Sequence, residues 1–132
     1  MTMGPSPEFL RRQLQLADEA LADARLLLEH HRHSAASNRS YYAMFYAAMA
    51  ALSLVSSRLP KSHRGTISLF GRHYVQSGKM DRQFAIDLRT AYNLRLQGDY
   101  GTSPELGSEQ VQEVVDKAQA FISEVKRLVN EE

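Results

Sequence analysis

Three absences narrow what the sequence can encode. The 132 residues include no cysteine, which excludes disulfide frameworks, thiolate metal sites and thiol nucleophiles. The longest apolar run, from Tyr41 to Leu52, has 12 residues, whereas a membrane-spanning helix needs roughly 18 to 20. The opening segment, MTMGPSP, lacks the basic and then apolar order of a secretory signal. We therefore expect a cytoplasmic protein with no membrane contact.

The length indicates a single folded domain. A chain of 132 residues can close one core but falls short of the size at which chains usually split. We assign residues 8–132 to this domain and interpret residues 1–7 as a disordered N-terminus or an expression remnant.

The net charge of +1 hides an uneven distribution along the chain. In residues 58–95 only Asp81 and Asp87 oppose eight basic side chains: Arg58, Lys61, Arg64, Arg72, Lys79, Arg82, Arg89 and Arg95. Residues 96–132 are acidic. This basic block could attract phosphates, or it could be a solvated face that the acidic C-terminal segment balances.

Apolar residues recur at steps of three and four along most of the chain, which is the period of amphipathic helices. Caps and glycine or proline stops mark the boundaries. The expected helices run from Pro7 to about His31, from Ala35 to about Ser57, from His63 to Ser77, from an Asp81 N-cap to before Gly98, and from a Ser108 N-cap through Val129. Residues 98–107 are expected to form a loop of a length that often carries function.

The fold class expected from these patterns is all-α. No strand pattern is present, so the chain is predicted to be a bundle of four long helices and one shorter helix. The second helix has no polar face between Tyr41 and Leu52, which places it at the centre of the bundle or in a subunit interface.

Two arginines stand where ordinary surface arginines would not. Arg39 lies one turn before Tyr42 on the most apolar helix, and Arg95 continues the inner stripe of the fourth helix. A buried guanidinium without a partner is costly. We expect Asp99 to be the partner of Arg95, and also to reach Arg39 across the bundle. The alternative is a buried ion pair that only fixes the helix register.

Three segments carry a family resemblance: NRSYYAMFYAAMAAL (residues 38–52), KSHRGTISLFGRHYVQSGKMD (residues 61–81) and RLQGDY (residues 95–100). Together with the amphipathic last helix, they resemble the HEPN domain family in its small, stand-alone prokaryotic branch. The resemblance covers residues 8–130. It implies an up-and-down helical bundle that forms a homodimer and is often encoded beside a minimal nucleotidyltransferase in toxin–antitoxin pairs.

The resemblance also implies an activity, because many HEPN proteins are similar to endoribonucleases that need no metal ion or cofactor. In those, an arginine stabilises the charge of the phosphorane and a histidine four to six residues later acts on the 2′-hydroxyl. Here Arg95 is followed by Asp99 and Tyr100, so a tyrosine stands in the place of the histidine. A tyrosine with an ordinary pKa of about 10 is a poor base at neutral pH. Arg39, Arg95, Asp99 and Tyr100 are the resulting catalytic candidates.

His63 is the fifth catalytic candidate. It begins the third helix inside the basic block and matches a histidine often seen there in this branch. It could supply the imidazole that RLQGDY lacks, or it could be a simple helix cap. Its neighbours Lys61 and Arg64, together with Asn38, are candidates for binding phosphate or RNA.

The histidines of residues 30–33 are better explained by a structural role than by a metal-binding one. Adjacent residues in HHRH (residues 30–33) diverge around a helix and have no carboxylate cluster nearby. They are interpreted as the cation-rich end of the first helix, and no metal site is expected.

Three functions remain open. The first is a toxin-type ribonuclease with its cleft across a two-fold axis. The second is a non-catalytic nucleotide- or partner-binding module for a minimal nucleotidyltransferase, in which Tyr100 would accept a nucleotidyl group or pack against Arg39 or Arg95. The third is a purely structural dimer.

Overall fold

The computed structural model describes residues 6–56, 58–101 and 106–131. It contains five α-helices and one π turn: α1 (Pro7–Glu29), α2 (His33–Ser53), α3 (His63–Phe70), the π turn (Gly71–Val75), α4 (Arg82–Tyr100) and α5 (Ser108–Glu131). No strand occurs in these residues. The predicted all-α bundle of four long helices and one shorter helix is confirmed.

The first helix begins where its sequence signals predict. The Ser6 Oγ accepts a hydrogen bond from the Phe9 N–H at 3.1 Å, and Pro7 occupies the first helical position, where its missing N–H costs nothing. Ala17, Leu21 and Ala24 are buried along the inner stripe. The helix ends at Glu29, and His31 has a positive φ of 59°.

The second helix, α2, is the centre of the bundle and packs against each of the other four helices. Its alanines from Ala43 to Ala51 are fully buried, and their small side chains let the neighbouring helices approach closely. The buried hydroxyls of Ser40 and Ser53 donate to carbonyls of their own helix at 2.9 and 2.7 Å, so neither is left unsatisfied. The predicted central position of α2 is confirmed. It ends at Ser53, and Ser57 lies outside the described residues.

The third helix is shorter than its apolar pattern predicts. The Ser62 Oγ accepts from the Gly65 N–H at 2.9 Å and so caps α3, but regular α-helix ends at Phe70. The π turn follows, with the Gln76 N–H donating to the Gly71 carbonyl at 2.9 Å. The predicted helix to Ser77 is therefore an α-helix, a π turn and a final non-helical turn.

The fourth helix runs further than predicted, and the expectation that Gly98 lies beyond its end is wrong. It begins after its predicted cap, Asp81, and continues through Gly98 to Tyr100. Gly101, with a φ of 58°, ends it by donating its N–H to the Gln97 carbonyl at 3.1 Å. The start of the predicted loop is thus helical, and residues 102–105 of that loop lie outside the described residues.

Close packing explains why a glycine stands inside the fourth helix. A Cβ at Gly98 would lie 3.1 Å from the Leu106 Cδ1 and 3.4 Å from the Ser34 side chain. The position therefore lets the end of α4 approach the start of α2.

Among the residues described, no helix is both long enough and apolar enough to cross a lipid bilayer.

Candidate functional site

Polar side chains from α2, α3 and α4 meet beside the first half of α2. We call this group the polar cluster, and it consists of Asn38, Arg39, Tyr41, Tyr42, His63, Tyr92, Arg95 and Asp99.

Arg95 is largely enclosed in the polar cluster, with a side chain only 12% exposed. Its guanidinium carbon lies 5.4, 5.6 and 5.5 Å from the ring centroids of Tyr41, Tyr42 and Tyr92, within reach of cation–π attraction. Its Nη1 donates to the Asp99 Oδ2 at 3.4 Å. Its Nε is buried without a hydrogen-bond partner. The structure thus keeps this cation in place mainly with aromatic rings.

Asp99 joins the two ends of the polar cluster. It accepts from the Asn38 Nδ2 at 3.1 Å as well as from Arg95. Asn38 in turn accepts from the Arg39 Nε through its Oδ1 at 3.1 Å. The predicted pair of Arg95 and Asp99 is present, but Asp99 makes no direct ion pair with Arg39 in the described residues. The amide of Asn38 connects them instead.

Arg39 lies at the other end of the hydrogen-bonded chain through Asn38. It is half-buried, and its guanidinium carbon lies 5.0 Å from the centre of the Tyr42 ring. Within the described part of the chain, its hydrogen bonding is confined to the Nε, so its Nη groups remain available to a ligand.

His63 enters the polar cluster from the first position of α3. Its Nδ1 lies 2.7 Å from the Tyr41 hydroxyl oxygen, and its ring is 4.8 Å from Phe45 and 5.9 Å from Tyr92, centroid to centroid. Burial, and secondly the positive charge of Arg95, lower the pKa of His63. A histidine with a lowered pKa is mainly neutral at pH 7.

The hydrogen bond between His63 and Tyr41 can be satisfied in two ways. If the Tyr41 hydroxyl accepts from an Nδ1–H, the His63 Nε2 carries a lone pair and can take a proton. If the hydroxyl donates to Nδ1, then Nε2 carries the hydrogen and can give it. Burial raises the pKa of Tyr41, so this hydroxyl keeps its proton in both arrangements.

Tyr100 lies apart from the polar cluster. It is the last residue of α4 and is 69% exposed. In the described residues neither Arg39 nor Arg95 packs on its ring, so the predicted cation–π contact is made by other tyrosines. Lys61 and Arg64 are exposed next to His63 and make no hydrogen bond or ion pair within the described residues.

Sequence reasoning missed the tyrosines of the polar cluster as partners of the arginines. Tyr41 and Tyr42 were visible only as part of an apolar run. Tyr92 carried a usable signal, because it lies three residues before Arg95 and so shares its helix face. No group of three or more potential metal ligands occurs among the residues that the structure describes.

Comparison with known proteins places the chain in a family. The sequence model of the HEPN domain matches residues 10–128. The chain belongs to the HEPN domain family. This confirms the resemblance carried by the three quoted segments and the helical fold that it implied.

Relatives of this HEPN protein come from bacteria and archaea. A UPF0332 protein of Thermotoga maritima is 34% identical over 94% of this chain and 91% of its own length. A protein of Methanocaldococcus jannaschii named "Putative toxin MJ0605" is 31% identical over the same shares of the two chains. A UPF0332 protein of Gloeobacter violaceus is 40% identical over 75% of this chain and 78% of its own.

Proposed function

We propose that this HEPN protein is a toxin-type endoribonuclease that cleaves RNA without a metal ion, with the polar cluster as its active site. One observation carries the proposal: a neutral imidazole and a fixed guanidinium share the same tyrosine rings. Tyr41 contacts both His63, at 2.7 Å through its hydroxyl, and Arg95, at 5.4 Å over its ring. The histidine that the helix of Arg95 lacks is thus supplied from α3.

The chemistry that these residues can perform is an internal transfer. His63 takes the proton of a ribose 2′-hydroxyl, and the resulting oxygen attacks the adjacent phosphorus. The bond from phosphorus to the 5′-oxygen breaks as that oxygen takes a proton from water, and the protonated His63 returns its proton to the solvent. The products are a 2′,3′-cyclic phosphate and a 5′-hydroxyl. Arg39 donates its free Nη hydrogens to the phosphorane, and Arg95 adds positive charge behind it.

A homodimer is part of this proposal. Tyr42, Phe45 and Tyr46 are only partly buried on α2, although they continue the aromatic run beside the polar cluster. A second copy packed on these rings would exclude water from the reacting groups. RNA as substrate agrees with the cytoplasmic location expected from the sequence.

Cleavage of a labelled single-stranded RNA in the presence of EDTA tests the proposal. We expect His63→Gln to slow cleavage by a factor of about 100 or more, which is the usual contribution of an acid or base. Arg39→Gln should slow it as well, because the phosphorane loses a donor. Arg11→Gln, on the exposed face of α1, is the matched control. Intact RNA with the unmodified dimer between about pH 5 and 9, the range over which histidine titrates, would refute the assignment.

A different observation favours a second role, that of acceptor for a minimal nucleotidyltransferase. The exposed Tyr100 hydroxyl could attack the α-phosphorus of a nucleoside triphosphate held by such a partner, and pyrophosphate would leave. Intact-mass measurement after incubation with the partner and the triphosphate would show one added nucleotidyl group, and Tyr100→Phe should abolish it. An unmodified chain with an active partner would exclude this role.

A further inference from the structure

Tyr92, a member of the polar cluster, also borders a second surface. A groove of about 450 Å³ runs between the α3 and π-turn segment and the first half of α4. It continues into a smaller space of about 330 Å³ that shares Ile67, Ser68, Arg89 and Asn93 with it. We call the two together the arginine groove, after the four arginines in its walls: Arg64, Arg72, Arg82 and Arg89.

The four arginines of the arginine groove are all exposed. Within the described residues none of them makes a hydrogen bond or an ion pair, and no carboxylate stands among the lining residues. The nearby Asp87 is turned away, since its Oδ1 lies 3.6 Å from the Lys117 Nζ and accepts from the Gln83 Nε2 at 2.8 Å. Four uncompensated cations in one concave surface attract a ligand with several negative charges.

The arginines form two rows along the arginine groove. Arg82 and Arg89 are seven residues apart on α4, which separates their Cα atoms by about 10 Å along the helix. Arg64 and Arg72 form the opposite row. One nucleic-acid strand carries a phosphate about every 3.4 Å along a duplex axis, so the α4 row spans about three phosphates of a strand in that geometry. The spacing fits a chain of phosphates better than a single anion.

The remaining lining of the arginine groove also suits a nucleic-acid strand. Ile86 is 42% exposed on its wall, and the Tyr92 ring borders the end nearest to His63. Basic grooves with apolar and aromatic surface are typical of sites for single strands, because bases stack while the phosphates pair with cations. The π turn supplies Gly71 and Arg72 to the groove, and π turns are frequent at functional sites.

The arginine groove leads to the polar cluster. Tyr92 lines it on one side, while the same ring stacks on His63 at 5.9 Å and 26° and lies 5.5 Å from the Arg95 guanidinium. We propose that the groove binds the phosphodiester backbone of single-stranded RNA and directs the strand past Tyr92 to His63. This inference rests on the proposed function, since it names the path of that substrate.

Binding of an RNA that cannot be cleaved tests the groove separately from the chemistry. The probe is a fluorescent oligonucleotide of 2′-O-methyl RNA, measured by anisotropy with the full chain over a series of salt concentrations. Each phosphate contact to a single strand contributes about 0.7 to the slope of log K against log salt. We expect Arg82→Gln/Arg89→Gln to weaken binding and to reduce that slope by about 1.4, which is two such contacts.

The matched control is Arg11→Gln/Arg12→Gln, which removes the same charge from exposed positions on α1. This control should keep the slope of the unmodified protein. Equal slopes for the groove variant and the unmodified protein would overturn the proposal, as would equal losses in both variants.

Other occupants of the arginine groove would give distinct results. If a second copy fills it, Arg82→Gln/Arg89→Gln will change the mass in sedimentation and leave RNA affinity unchanged, which also overturns the proposal. If the proposed cleavage fails but the groove variant loses RNA binding, the groove stands as an RNA site without the reaction. If cleavage occurs but the groove variant binds normally, only the groove assignment fails.

Discussion

The two sets of arginines differ in almost everything except residue type. Arg39 and Arg95 are partly or largely covered and are held by tyrosine rings, Asn38 and Asp99. The arginines of the arginine groove are exposed and have no partner in the described residues. A side chain whose interactions are already made is fixed for one task, whereas a free one is available to a ligand. The comparison indicates that burial and existing partners, not residue type, distinguish the arginines of the polar cluster from those of the arginine groove.

The largest difference between the two sets of arginines is expected in their contribution to the free energy of unfolding. Arg95→Ala should lower the free energy of unfolding by about 2 kcal/mol, because it removes a mostly buried cation and leaves Asp99 with one partner fewer. The partial exposure of Asp99, 27% for its side chain, keeps the cost below that of a fully buried pair. Arg82→Ala should change stability by no more than about 0.5 kcal/mol. Urea denaturation of both variants measures the difference.

Arg95→Met is the control for the shape of that side chain. It keeps an unbranched side chain beside the three rings and removes the guanidinium with its hydrogen bond to Asp99, so it should recover part of the loss of Arg95→Ala. Equal losses for Arg95→Ala and Arg82→Ala would erase the distinction between the two sets of arginines.

A smaller effect on the free energy of unfolding is expected from the titration of His63, which lies between the arginines of the polar cluster and those of the arginine groove. Burial and Arg95 lower the pKa of His63, so below an ordinary value of about 6.5 the unfolded chain binds more protons than the folded chain. The free energy of unfolding should therefore fall as the pH drops from that value through the lowered pKa, and rise again as the pH is raised. Urea denaturation at a series of pH values measures this dependence.

His63→Gln should flatten that dependence, since the titrating group is gone. His73→Gln removes a histidine from outside the polar cluster and should retain it. An unchanged pH dependence in His63→Gln would mean that the imidazole is no more enclosed in solution than in the unfolded chain.

The smallest effect concerns the floor of the arginine groove. Gly71 has ordinary helical angles, a φ of −59° and a ψ of −43°, and a Cβ there would meet nothing within 4 Å. Gly71→Ala should therefore raise the free energy of unfolding by about 0.5 kcal/mol, by restricting the unfolded chain. Gly101→Ala should have the opposite sign, because a φ of 58° is unfavourable for alanine. Thermal denaturation of both variants checks the signs, and a loss in Gly71→Ala would mean that the floor is not open.

Local signals in the sequence predicted the parts of the fold that depend on local physics. The predicted caps at Ser6 and Asp81 needed only neighbouring residues, and both were correct. Gly98 was mistaken for a stop because its neighbours Leu106 and Ser34 are not adjacent to it in sequence.

In the candidate site too, contacts within one helix were predictable from the sequence and contacts between helices were not. The pairing of Arg95 with Asp99 was predictable because the two are four residues apart on one helix. The bridging amide of Asn38 and the enclosing rings of Tyr41 and Tyr42 come from α2, whose rotation relative to α4 no single stretch of sequence reveals. The unpartnered state of the groove arginines was equally hidden, because a list of charges does not show which of them find a partner.

The glycine inside α4 sets a distance that the polar cluster needs. Because Gly98 has no side chain, the helix that carries Asp99 can stand next to Ser34 in the first turn of α2. One turn later on α2, the Asn38 Nδ2 donates to the Asp99 Oδ2 at 3.1 Å. A methyl group at this position would meet the Ser34 side chain at ordinary contact distance and would require the Leu106 side chain to shift. The packing beside the polar cluster thus includes a residue without a side chain, next to Asp99 in sequence, and a search for functional positions by chemical type alone would pass over it.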